Sequence, residues 1–135
     1  VTDMSYMFYR ADAFNGNIGS WNVSSVTNMQ HMFREADAFN QDIGSWDVSS
    51  VTNFAGMFTN ADAFNQDIGS WDVSAVTSSA KMTYMFAFAD VFNQDLSGWC
   101  VENIDAGIPT MFDSYANAWA GGSATRPQWG TCPGG

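Results

Sequence analysis

The chain has 135 residues, 46% hydrophobic and 16% aromatic, which suits one domain with a buried core rather than a disordered segment. Fourteen acidic residues against four basic ones give a net charge of −10, a surface that repels phosphate backbones and anionic membranes, so nucleic-acid binding is excluded. No apolar run approaches the ~20 residues needed to span a bilayer, which excludes membrane insertion and leaves proteins, glycans, other cell-surface ligands and cations as partners.

Val1 falls inside a repeat with no initiating Met, basic leader or signal peptide before it, so the chain reads as a fragment of a longer protein. Val1, Val26, Val51 and Val76 recur at a period of 25. Each is followed by Met-Phe (Met7-Phe8, Met32-Phe33, Met57-Phe58, Met85-Phe86), then by Phe-Asn, then by Ile18, Ile43, Ile68 or Leu96, and finally by Trp21, Trp46, Trp71 or Trp99. Self-similarity at this period marks a repeat architecture in which stacked neighbours bury what one coil cannot.

Within a repeat the apolar period changes. Val26, Met29, Met32, Phe33, Ala36 and Phe39 follow helical spacing with Thr27 placed as an N-cap, although Gly56 and Asn53 weaken the third helix. Trp46 and Val48 then alternate as in a short strand. The fourth repeat carries extra residues around Ser78-Ser79-Ala80, which must leave one face as a loop. Regular repeats end at Trp99. Beyond it, Ile104 and Met111-Phe112 keep a degenerate fifth coil, and a Gly- and Pro-bearing tail from Gly121 to Gly135 returns with Cys132. The only cysteines, Cys100 and Cys132, have no His pair to complete a zinc site. A disulfide holding a cap over the open end, with Trp129 nearby, is the expectation, and it implies an oxidising compartment. The fold class expected is an α/β repeat: a right-handed leucine-rich-repeat-like solenoid of short parallel strands, residues 1–99, closed by a fifth coil and disulfide-bonded cap, residues 100–135.

The words VTNMQHMFREADAFNQDIGSWDVSS and the ending GWCVENI…RPQWGTCP resemble the BspA-like leucine-rich-repeat surface proteins, a family also met as a repeat of unknown function in Mycoplasma lipoproteins and in secreted proteins of marine microbes. The resemblance covers nearly the whole chain. It implies surface display and attachment, and it carries no catalytic residues to transfer. One departure stands out: Val51 occupies the place where that repeat usually has Asn or Cys, and the column Asn15, Asn40, Asn65, Asn93 lies before the Ile instead. Those side chains are expected to stack inward and satisfy corner backbone groups.

Chemistry is sparse. The Met columns fall on the apolar stripe and read as core rather than a soft-metal site. The Trp ladder shares its phase with Val23, Val48 and Val73, so it reads as core rather than a sugar platform. Asp12, Asp37, Asp62 and Asp90, and likewise Asp42, Asp67 and Asp95, form columns that calcium would suit, but no loop has EF-hand spacing, so they read as turn formers with no cofactor required. The Thr2, Thr27, Thr52, Thr77 ladder is read as capping rather than as an ice-matching surface. His31 is the sole histidine, which gives a catalytic dyad no support, and an enzyme is not expected. The candidate ligand face is the outward strand positions Ser20, Asn22, Ser24, Ser45, Asp47, Ser49, Ser70, Asp72 and Ser74. The function expected is a secreted or cell-surface adhesion or recognition module, with a structural spacer as the alternative and an ice- or mineral-binding surface behind it.

Overall fold

The structure, a computed structural model, describes residues 1–104 and 107–133; the last two residues of the tail lie outside it. The repeats do stack, but not as helix and strand. In the second coil, Met29, His31, Phe33 and Glu35 donate their amides to the carbonyls of Asn53, Ala55, Met57 and Thr59 in the third coil, each at 2.9 Å. The residues between them close tight i→i+3 turns: Met32 onto Met29, Arg34 onto His31, Ala36 onto Phe33. Alternate amides therefore point along the stack and back along the chain. The third coil bonds to the fourth through Phe54, Gly56, Phe58 and Asn60 in the same way.

This arrangement corrects the expected fold class. Among the described residues there is no α-helix and no sheet; the regular elements are two 3-10 helices, Ser79–Met82 and Gly122–Thr125, and two isolated parallel bridges, Asp3 to Asn28 and Asn28 to Asn53. A leucine-rich-repeat solenoid with parallel strands is not what this sequence forms. The reason lies in the backbone. His31 and Glu35 take positive φ values of 55° and 58°, as do Tyr6 and Arg10 before them and Tyr84 and Phe88 after. A left-handed residue at every fourth position ends each right-handed turn before it can propagate, and the amides needed for i→i−4 bonds are spent on the neighbouring coil. A string of such turns brings side chains back at spacings of three and four, the same pattern as a helix face. The strand expected at Trp46 and Val48 is likewise two turns, Trp46 closing onto Ile43 and Val51 onto Val48.

Inside, the apolar columns form one core. Phe33 stacks on Phe58 at 5.7 Å and Phe58 on Phe86 at 5.4 Å, beside a second file of Phe39, Phe64 and Phe92. Trp46, Trp71 and Trp99 are buried, and each indole N–H donates to the carbonyl of Ile18, Ile43 or Ile68 in the preceding coil. Burying an aromatic ring while satisfying its one polar atom explains why Trp holds this place. Trp21, their counterpart in the first coil described, is 40% exposed. The inserted residues of the fourth coil wind into the Ser79–Met82 turn, with the Ser78 side chain accepting from the Ala80 amide.

At the other end the stacking changes hand-over. Phe112 meets Phe86 edge-on, Trp119 meets Phe92 at 89°, and Trp129 lies edge-on to Phe112 at 4.9 Å. Cys100 and Cys132 are joined, as expected. Arg126 adds a pin that sequence reasoning missed: its guanidinium lies 4.1 Å from the Trp119 ring, pairs with Asp113 at 2.8 Å, and donates to the carbonyls of Trp119, Ala120 and Gly122.

Candidate functional site

The nine outward positions nominated from the sequence lie on the segment running from Ile18 to Val26 and its copies, and most are exposed. They do not form a strand face. Asp47 Oδ1 accepts from both the amide and the hydroxyl of Ser49, and Asp72 does the same with Ser74. Asn22 serves Ser24 identically in the first coil. These contacts hold the Asp47 carboxyl below the usual carboxylate range, first through the Ser49 hydroxyl and then through its amide. The neighbouring column of Asn17, Asp42, Asp67 and Asp95 caps the amides of Gly19, Gly44, Gly69 and Ser97. Short acidic side chains are used here to build turns.

A second ribbon runs along the Asn column. Asn40 donates its amide to Asn15 Oδ1, Asn65 to Asn40, and Asn93 to Asn65, all at 2.9 Å, and the ladder ends on the amide of Ala120. The expected hydrogen bonding is present, but the expected burial is not: these residues are exposed. Gln41, Gln66 and Gln94 reinforce it by donating to the Asn carbonyl and side chain of the coil before. Thr27 and Thr52 are not helix caps; their hydroxyls donate to the carbonyls of Thr2 and Thr27. A glycine column went unread too. A Cβ on Gly44 would sit 2.5 Å from the Asp67 carbonyl oxygen, and Gly19 and Gly69 face the same obstacle. The recurrence of Gln and Gly in register was the signal.

The surface of the described residues includes two clefts that bear on function. One, about 490 Å³, lies between the fifth coil and the tail and is bordered by Ile108, Phe112, Arg126 and Trp129. The other, about 580 Å³, opens where His31, Arg34, Lys81 and Tyr84 meet around Ala55 and Thr59. Among the described residues, one group of metal-ligating side chains converges, Cys100, Cys132 and Glu102, and its two sulfurs are bonded to each other. No helix among them is long and apolar enough to cross a membrane.

No curated protein and no solved structure matches the chain. A family described as Mycoplasma protein of unknown function, DUF285, matches residues 1–99 and again residues 78–121, so its repeat runs past the last regular coil into the fifth. On that span the chain belongs to the DUF285 family.

Proposed function

We propose that this chain is a non-enzymatic, extracellular recognition module that binds a protein, glycan or cell-surface ligand along the exposed ribbon of Ser20, Asn22, Ser24 and their counterparts in the following coils. The observation that carries this reading is the preorganisation of the ribbon. Asp47 and Asp72 are each locked by two hydrogen bonds to Oδ1, while Oδ2 has no protein partner among the described residues. Side chains already fixed lose little rotamer freedom on binding, and their repetition in successive coils multiplies each weak contact. The Cys100–Cys132 bond supports an oxidising, extracellular setting.

Asn22 shows how to test it, because an amide makes the same turn without the charge. In a cell-surface, glycan and peptide binding screen, Asp47→Asn with Asp72→Asn should abolish attachment while the circular dichroism spectrum stays that of the parent. Undiminished attachment moves the site off the ribbon. No attachment by the parent to any surface favours a structural spacer instead.

A further inference from the structure

In a chain this regular, the departures from the pattern are informative, and several of them meet at one place. The first left-handed position of each coil carries an outward side chain: Tyr6, His31, Tyr84 and Met111, but Gly56 in the third coil. Tyr6 and His31 lie against each other with ring centroids 5.0 Å apart. The missing side chain at Gly56 interrupts this file, and His31 leans over the vacated place: a Cβ on Gly56 would run into the His31 imidazole at Nδ1. The column Asp3, Asn28, Asn53 caps the amide two residues on in each coil, yet the fourth coil has Lys81 there, delivered by the inserted 3-10 turn. The 580 Å³ slot lies between these changes.

Its electrostatics oppose those of the rest of the molecule. Of the five Lys, Arg and His residues in a chain of net charge −10, three, His31, Arg34 and Lys81, line this slot, and no acidic residue does. His31 Nδ1 and Arg34 Nε are buried and make no hydrogen bond; Glu35 Oε1 comes no closer to Arg34 Nε than 3.8 Å. Both nitrogens are enclosed by protein, Nδ1 against Gly56, so the groups this slot offers a ligand are the rest of the Arg34 guanidinium, on a side chain 37% exposed, and the exposed Lys81 ammonium. The remaining walls are amides and hydroxyls, from Gln30, Asn53 and Thr83, with Tyr84 two coils along the same file as His31.

We propose that this slot binds an anionic sugar, a carboxylated or sulfated hexose unit, its oxyanion held by Arg34 and Lys81 and its ring set between His31 and Tyr84. The volume is that of a small-ligand site. Charge-assisted bonds to an oxyanion are the strongest contacts these side chains can make. Walls of side-chain amides and hydroxyls suit a sugar better than a hydrocarbon acid. The slot belongs to a different segment of the coil from the polar ribbon and stands whether or not the ribbon binds anything.

His31, the only histidine, is its own reporter. The full chain is titrated with glucuronate, a sulfated glucose, inorganic sulfate and glucose while the His31 imidazole resonance is followed. Glucuronate and the sulfated glucose should each shift it saturably at millimolar concentration, and glucose should not. Their relative affinities separate the carboxylate from the sulfate source. Lys81→Gln, at an exposed position, and Arg34→Gln should each weaken binding by about tenfold with the amide spectrum otherwise unchanged. No saturable shift with either anionic sugar overturns the proposal, as does unchanged affinity in both variants. Equal binding of glucose removes the oxyanion from the assignment, and inorganic sulfate binding as tightly as the sulfated sugar removes the hexose. Asp47→Asn with Asp72→Asn should leave this titration untouched, which separates its failure from that of the ribbon.

Discussion

Each coil has two halves held by different means. In the half from Met29 to Phe39, alternate backbone amides from Met29 to Glu35 bond directly to the next coil, so the fold asks little of the outward side chains. Those positions differ freely between coils: Tyr6, His31, Gly56, Tyr84 in one file and Arg10, Glu35, Asn60, Phe88 in the next. From Asn40 to Val51, side chains link the coils through the Asn and Gln ladders and the indole N–H of Trp46, Asp side chains close the turns within each coil, and the same residues recur in coil after coil. Regularity in the repeat therefore marks where side chains are structural. Variation marks where they are available for other work, and the basic slot lies in the variable half.

The largest expected effect falls in the regular half. Trp71→Ala removes a buried indole and leaves the Ile43 carbonyl without its donor, and it should cost about 3–5 kcal/mol, read as a lower urea midpoint. A loss as small as that of a surface residue would show that the ladder is not what binds the coils.

Reduction of the Cys100–Cys132 bond tests the cap against the coils it covers. The two residues are 32 apart in sequence, which corresponds to roughly 3.5 kcal/mol in the chain-entropy account. Thermal melts with and without reductant measure it. An unchanged midpoint would mean that Arg126, on Trp119 and Asp113, holds the tail alone.

Smaller changes sharpen the contrast between halves. Gly44→Ala should cost about 1–3 kcal/mol because its Cβ meets the backbone of the next coil rather than a movable side chain. Asn40→Ala, which strips the Asn65 amide of its partner, should cost about 1 kcal/mol at this exposed site. Asn60→Gly, in the backbone-held half at a φ of 56°, should change stability by no more than about 0.5 kcal/mol. Equal losses at Gly44 and Asn60 in denaturant titrations would erase the distinction.

The acidic columns give the smallest effect, with opposite signs in the two halves. Burial, and then the charges of Asp37 and Asp90, raise the Asp62 carboxyl above its ordinary value of 3.8, so its ionised form opposes folding and stability is gained as pH falls through its folded pKa. Asp47 and Asp95 are lowered by their serine partners, so their contribution is complete above 3.8 and is lost as pH falls through their folded values. Asp62→Asn should stabilise the protein by a few tenths of a kcal/mol at neutral pH, with the gain vanishing in acid, as thermal melts across pH would show.

The period, the buried columns and the pairing of the cysteines were legible in the residues alone, because each follows from which residues recur and which do not. Val26, Phe33, Phe39, Ile43 and Trp46 are all buried, as their register required. It equally marked Asp47 and Ser49 as outward, though not that they bond each other. The path of the backbone depended on contacts between coils. Residues 29, 32, 33, 36 and 39 fit a helix or a string of turns equally well, since both return a side chain to the core every three or four residues. What separates the two is where the alternate amides go. Those of His31 and Glu35 find carbonyls a whole coil away, which compensates for their left-handed φ, and a partner a full repeat distant leaves no trace in local spacing. The basic slot was hidden for the same reason. His31, Gly56 and Lys81 are each unremarkable in the sequence, and only stacking sets them around one opening.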